Sequence, residues 1–216
     1  IHIYFQLLVY NLNTTQSTYI LKMSIKIRLK SSLDEKLVKN HVFFTDQDFK
    51  ISGFNKLSIF KSFNLITKSI NSNKIDNKNF LSFNINPTQK IILVKIKNKQ
   101  SPLDTEKVGA DFYSYLKSNS FFKTTLYEHN IKNANCQNKY FLDEFIHGVE
   151  LKSYEFNKYK SKYENKIFEI DIISKSKSFK LNQNKRFKSL IEGTNFTKDL
   201  VSEPGNILHP DEYAKR

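Results

Sequence analysis

The groups in this chain that could do chemistry are few and scattered. Its five histidines are His2, His41, His129, His147 and His209. None pairs at the i, i+4 spacing that sets two imidazoles on one helical turn for zinc, so each reads as structural or exposed. Asp46-x-Asp48 offers two carboxylates to a divalent cation, but Asp is also a common turn former after a strand, and the turn is the preferred reading. Asp143 and Glu144 are neighbours in a helical pattern and do not share a face. There is no G-x-S-x-G elbow and no glycine-rich phosphate loop, because Gly53, Gly109, Gly148, Gly193 and Gly205 each stand alone. The single cysteine, Cys136, excludes an internal disulfide framework and a cysteine-rich zinc site. It reads as a small packing residue and suits a reducing compartment.

The remaining chemical signal is charge. The chain carries +14, with 35 basic and 21 acidic residues, and a pI of about 9.6. A nucleic-acid or other anionic partner would give that balance. So would an AT-rich genome, whose codons favour Lys, Asn, Ile and Phe. Lys also greatly outnumbers Arg, the residue that reads bases and phosphates with a rigid fork. Between Lys152 and Lys188 there are eleven basic and four acidic residues, interleaved with Tyr154, Phe156, Tyr159 and Tyr163. Such a mixture can bind single strands by stacking and charge. It can equally be a solvated face over core aromatics.

The elements that must position these residues follow from periodicity. With 39% hydrophobic residues and a mean hydropathy of -0.52 the 216-residue chain can bury a core. Strands are predicted at 24–29, 42–45, 80–85, 121–128 and 166–174 from period-two alternation or short apolar runs. The continuous run Ile91–Ile96 predicts a central strand covered on both faces. Ser101-Pro102 opens a helix with a capping hydroxyl and a first-turn proline, its inner face formed by Val108, Phe112, Tyr115 and Leu116. Further helices are predicted at 54–70, 138–159 and 184–201, with 71–79 a polar loop. Gly148 is read as giving the third helix a close approach to the sheet. Strands interleaved with helices predict an α/β fold, a layered mixed sheet with helices on both faces.

The chain begins with Ile1, and its one methionine is Met23. Residues 1–22 read as an upstream extension that is not native to the protein, with a genuine N-terminal strand or anchor as the alternative. The apolar run IHIYFQLLVY is too short for a membrane span and lacks the flanks of a secretory signal. The domains are therefore set at 1–22, 23–180 for the α/β domain, and 181–216 for a connecting helix and the start of a further unit.

Two stretches carry more specific information. The first is FIHGVELKSYEFNKYK, residues 145–160, with Gly148, Ser153, Tyr154, Phe156, Tyr159 and Lys160 in a recurrent order. The second is KDLVSEPGNILHP, residues 198–210. There Pro204 cannot continue a helix, Gly205 relaxes the backbone after it, and Pro210 opens another helix. Together they resemble the leucyl (cytosol) aminopeptidases, at the last long helix of the N-terminal domain and at the junction to the peptidase domain. Ser202 and Gly205 depart from the usual Asn and Ala. The resemblance implies a macro-domain-like N-terminal domain, a cytoplasmic homo-hexamer and a substrate class of peptides cleaved at their N-terminal residue. It also implies two divalent metal ions, manganese or zinc, that bind the scissile carbonyl and activate water. Their Lys and carboxylate ligands lie downstream of the junction in that family. No residue here is therefore assigned as catalytic, cofactor-binding or metal-binding. A basic nucleic-acid-binding module is the second reading, and a macro-like domain binding ADP-ribose is the third, weakened by the missing glycine-rich loops. No membrane partner is expected.

Overall fold

A computed structural model describes residues 24–49, 66, 78–133, 137–162, 166–174 and 184–215. Residues 1–22, Met23, most of the predicted 54–70 helix and 71–79 loop, Cys136 and Tyr163 lie outside them. Ile66 alone is described within 54–70, and it is helical.

Six strands form one sheet among the described residues: β1 (Ile25–Lys30), β2 (Asn40–Thr45), β3 (Phe80–Asn84), β4 (Lys90–Lys95), β5 (Lys123–Tyr127) and β6 (Phe168–Ile173). Their spatial order is β1-β6-β5-β2-β4-β3. All neighbours are parallel except β3, which runs antiparallel to β4 at one edge. The sheet is thus mixed, and the fold is α/β, as the interleaving of elements predicts. Ile91, Ile92, Leu93 and Val94 of β4 have no exposed surface, so the continuous apolar run does mark a strand covered on both faces.

Two helices pack on one face. Helix α1 (Pro102–Ser118) starts as its sequence dictates: the Ser101 hydroxyl accepts from the Asp104 amide at 3.1 Å, and Pro102 fills the first turn. After β5 comes a short helix, α2 (Glu128–Asn133), where the sequence pattern had continued the strand to 128. Helix α3 (Phe141–Ser153) follows. Phe112, Leu116, Phe141, Phe145 and Val149 bury against Val42, Phe44, Ile92, Val94, Leu126, Ile170 and Ile172. The opposite face holds Phe43, Leu81, Ile91, Leu93, Tyr127, Ile173 and the helical Ile66. Helix α4 (Asn184–Ser202) packs on α3, and α5 (Pro210–Lys215) follows it.

Gly148 does not face the sheet. A methyl group on it would lie 2.7 Å from the Glu106 carbonyl carbon of α1, and one on Gly109 would lie 2.9 Å from that of Phe145 on α3. The two glycines face one another's helix, so the close approach is helix to helix. The expectation erred because a helical position alone does not say which neighbour the bare Cα meets.

Helix α3 also ends earlier than its apolar spacing predicts. Tyr154 is extended (φ -62°, ψ 131°), and the chain to 159 is non-helical. On α4, Leu190 is 45% exposed, while Ile191 beside it is buried.

Substitution Gly109→Ala or Gly148→Ala forces a methyl group into fixed backbone. Each is expected to cost about 3 kcal/mol or more in urea unfolding followed by circular dichroism, whereas Gly193→Ala, whose added Cβ meets nothing within 4 Å, is expected to be neutral or mildly stabilising.

Candidate functional site

The early end of α3 has a purpose that contacts make plain. Tyr154 turns out of the helix and donates its hydroxyl to Asp199 Oδ1 on α4 at 2.6 Å. Burial and that carboxylate push the phenol up to about 12, so it stays a donor. Lys198 Nζ reaches the Leu151 carbonyl at 2.9 Å and lies over the Tyr154 ring, 5.0 Å from its centre. Four residues on, Lys158 Nζ and Tyr159 Oη both donate to the carboxylate of Glu203, whose side chain is almost fully buried. Phe156 packs edge-on to Tyr159 at 5.8 Å. At the other end of the seam, the His147 ring stacks on Phe187 at 4.4 Å and its Nδ1 meets Glu106 Oε1 at 2.9 Å.

This clasp is what the charges of α4 require. Asp199 and Glu203 sit at the carbonyl end of the helix, where the macrodipole repels anions. The last turn holds no basic residue of its own. Donors must come from elsewhere, and the 154–159 segment supplies them. Beyond the clasp Pro204 lacks an amide proton and ends the helix. The Ile207 and Leu208 amides then close on the Pro204 carbonyl at 2.9 and 3.0 Å, and α5 begins at Pro210. The two stretches that resemble the aminopeptidases thus meet as two sides of one contact.

The crevice where open α/β sheets bind ligands lies between β2 and β5, since the chain leaves these strands in opposite directions. Here a side chain fills it. Asn130 Nδ2 donates to the Phe44 carbonyl at 3.0 Å, and its Oδ1 accepts from the Phe44 amide. Pairing of β5 with β2 stops at Leu126, so Asn130 replaces the missing strand partner. Sequence reasoning missed Asn130, a lone Asn after a strand. Nearby, Asp46 closes a turn on the Asp48 amide at 3.1 Å, as the turn reading expects. A shallow groove of about 490 Å³ lies between the 98–102 and 137–139 loops. The helix start there is already capped by Ser101 and Asp104.

Among the described residues, the histidines are not brought together. His41 is fully buried on β2, its Nδ1 2.7 Å from the Tyr127 hydroxyl, and burial lowers it to about 4. His129 sits edge-on to Tyr127 at 6.0 Å. Glu144 accepts from Asn138 at 2.6 Å. Among the described residues, no three His, Cys, Asp or Glu side chains gather as a metal site, and no helix is long and apolar enough to cross a membrane.

The fold is that of a known class. A mutant of tomato leucine aminopeptidase superposes with a TM-score of 0.62 at 18% identity, covering 88% of this chain and 41% of that one. A bottromycin maturation enzyme superposes at 0.55 and 11% identity, covering 83% and 36%. The shared fold is that of the leucine aminopeptidase N-terminal region. Sequence agrees over part of the chain. Proteins named "Probable cytosol aminopeptidase" match from Phytoplasma mali (strain AT), 40% identical over 78 residues, and from Persephonella marina, 38% over 73 residues. One from Dinoroseobacter shibae matches at 28% over 129 residues, 60% of this chain. These stretches span 16%, 15% and 24% of the relatives' own lengths. No family model matches the chain. Over the matched part the chain is similar to the cytosol aminopeptidases, consistent with an N-terminal domain of that family.

Removing one side of the clasp tests its contribution. Glu203→Ala leaves Lys158 without its carboxylate and is expected to cost roughly 3 kcal/mol. Tyr154→Phe removes one hydrogen bond and is expected to cost about 1 kcal/mol. Both are read by urea unfolding, with hydrogen exchange expected to localise the loss to the last two turns of α4.

Proposed function

We propose that this chain is the N-terminal, non-catalytic part of a metal-dependent leucyl-type aminopeptidase that removes N-terminal residues from peptides in the cytoplasm. The observation that carries this reading is the clasp. The two sequence stretches that resemble that family bind each other through Tyr154–Asp199 and Lys158/Tyr159–Glu203. They do so on a fold like that family's N-terminal region. In this reading residues 23–180 form the scaffold domain and residues 181–216 lead towards the peptidase domain. The domain's role is structural, helping to build a homo-hexamer. The described residues do not offer a donor set for the pair of divalent ions, manganese or zinc, so no catalytic step is assigned to them. When bound elsewhere, such ions polarise a scissile carbonyl and activate water.

Two measurements test it. Reading the genome beyond the codon for Arg216 is expected to show the frame continuing into a Lys, Asp and Glu ligand set; a stop codon there would refute the peptidase assignment. The purified 216-residue chain, given manganese or zinc, is expected not to hydrolyse a leucine chromogenic substrate. Metal-dependent turnover would overturn the non-catalytic role.

A weak nucleic-acid affinity is the second reading, favoured by exposed Lys185, Arg186 and Lys188 at the start of α4. Tyr154, Tyr159 and Lys158 are engaged in the clasp and are less available for stacking. Binding of a single-stranded oligonucleotide is expected to weaken steeply from 50 to 200 mM salt. No binding at 50 mM would eliminate this reading.

A further inference from the structure

Helix α4 has two apolar faces, and α3 takes up only one of them. Phe187 meets His147, Ile191 and Asn195 are buried, and Asp199 binds Tyr154, so the row that steps by four residues is spent on the domain beneath. On the outer side Leu190 is 45%, Phe196 48% and Val201 81% exposed, with Leu200 half-buried among them. At about 100° per residue these four and Gly193 fall within an arc of roughly 140°. Single exposed apolar residues are ordinary on a surface, but a row of them along one helix marks a contact. A Cβ added at Gly193 would meet nothing within 4 Å, so this face is open at its centre.

The pattern on the outer face is self-complementary. Leu190 and Val201 share one edge of it. A two-fold axis midway between them, at residues 195–196, sets the Leu190 of each copy against the Val201 of the other in an antiparallel pair. The same axis brings the two copies of Phe196 together on the opposite edge, where the bare Gly193 leaves room for the rings. Charge selects this orientation. Lys185, Arg186 and Lys188 are exposed at the start of α4, whereas its last turn holds no basic residue and lies at the negative end of the dipole. Asp211 is exposed just beyond, on α5. Antiparallel copies lay the basic end of each helix along the negative end of the other. Parallel copies would set the two basic ends side by side.

We propose that two copies of this chain associate through the outer faces of their α4 helices, packed antiparallel about a two-fold axis near Phe196. This names a surface for the self-assembly put forward above, and rests on that reading for the number of copies. One helix from each copy makes a small interface, so the pair is reversible, with a dissociation constant on the order of 10 μM.

Sedimentation equilibrium of the full 216-residue chain, from about 1 to about 300 μM to bracket that constant, tests the pairing. The mass is expected to rise from 25.5 kDa towards twice that value. Phe196→Asp is expected to weaken association at least about tenfold, with the circular dichroism and urea unfolding of the native chain retained because the ring is half exposed. Arg186→Glu is expected to weaken it about threefold, whereas a parallel pair would tighten. A chain that stays monomeric throughout overturns the proposal, and leaves the peptidase reading to the genome sequence beyond Arg216. A dimer that Phe196→Asp leaves unchanged, or that Arg186→Glu tightens, overturns it too. Should Phe196→Asp fail to fold, Val201→Glu is measured against the same criterion.

Discussion

The architecture depends on two missing side chains. Gly109 and Gly148 let the backbones of α1 and α3 touch, each filling the space where the other would need a Cβ. That approach lets both helices lie on one sheet face, so Phe112 and Phe145 can meet at 5.3 Å over β2. It also fixes the position of α3 along α1. His147 then falls beside Glu106, and α3 ends where Tyr154 can reach α4. Glycine weakens a helix by roughly 1 kcal/mol relative to alanine. The packed aromatic layer outweighs that cost, since each buried large side chain contributes about 2–3 kcal/mol.

The other face of the sheet is handled by charge as much as by apolar packing. Asp171 on β6 is fully buried. Burial alone would raise its carboxyl, yet hydrogen bonds from Arg28 at 2.7 Å and Lys30 at 2.8 Å hold it below its ordinary value. Arg28 also reaches Glu169 at 2.6 Å. The pairing binds the edge strand β1 to β6 in register, because a one-residue slip would move Arg28 to the apolar face. Ion pairs of this kind specify position more than they add stability.

Much of this was legible in the sequence because local rules and burial agreed. Ser101-Pro102 starts a helix for reasons local to four residues, and the short β-branched IILV run favours a strand covered on both faces. What was not legible was set by partners distant in sequence. Helical spacing through Phe156 suggested a longer α3, but Tyr154 and Tyr159 gain more from Asp199 and Glu203 than from one further turn. The direction of Gly148 depended on Glu106, forty-two residues earlier. Asn130 carried no signal at all, since its role exists only where β5 ends short of Phe44. Of the clasp, the sequence showed both halves without showing that they touch.

That contact explains why the halves go together. A helix with Lys185, Arg186 and Lys188 at its positive end and Asp199 and Glu203 near its negative end is opposed by its own dipole. Among the described residues, Lys188–Glu192, 3.9 Å apart and exposed, is the ion pair that supports it from within. Such a helix forms because α3 and the 154–159 segment hold it, so its last turns report on the state of the domain beneath. The direction in which the chain leaves at Pro204 is therefore set by Tyr154, Lys158 and Tyr159, and through them by the glycine crossing that fixes the end of α3. A domain built this way sets the course of the chain into α5 through a single clasped helix.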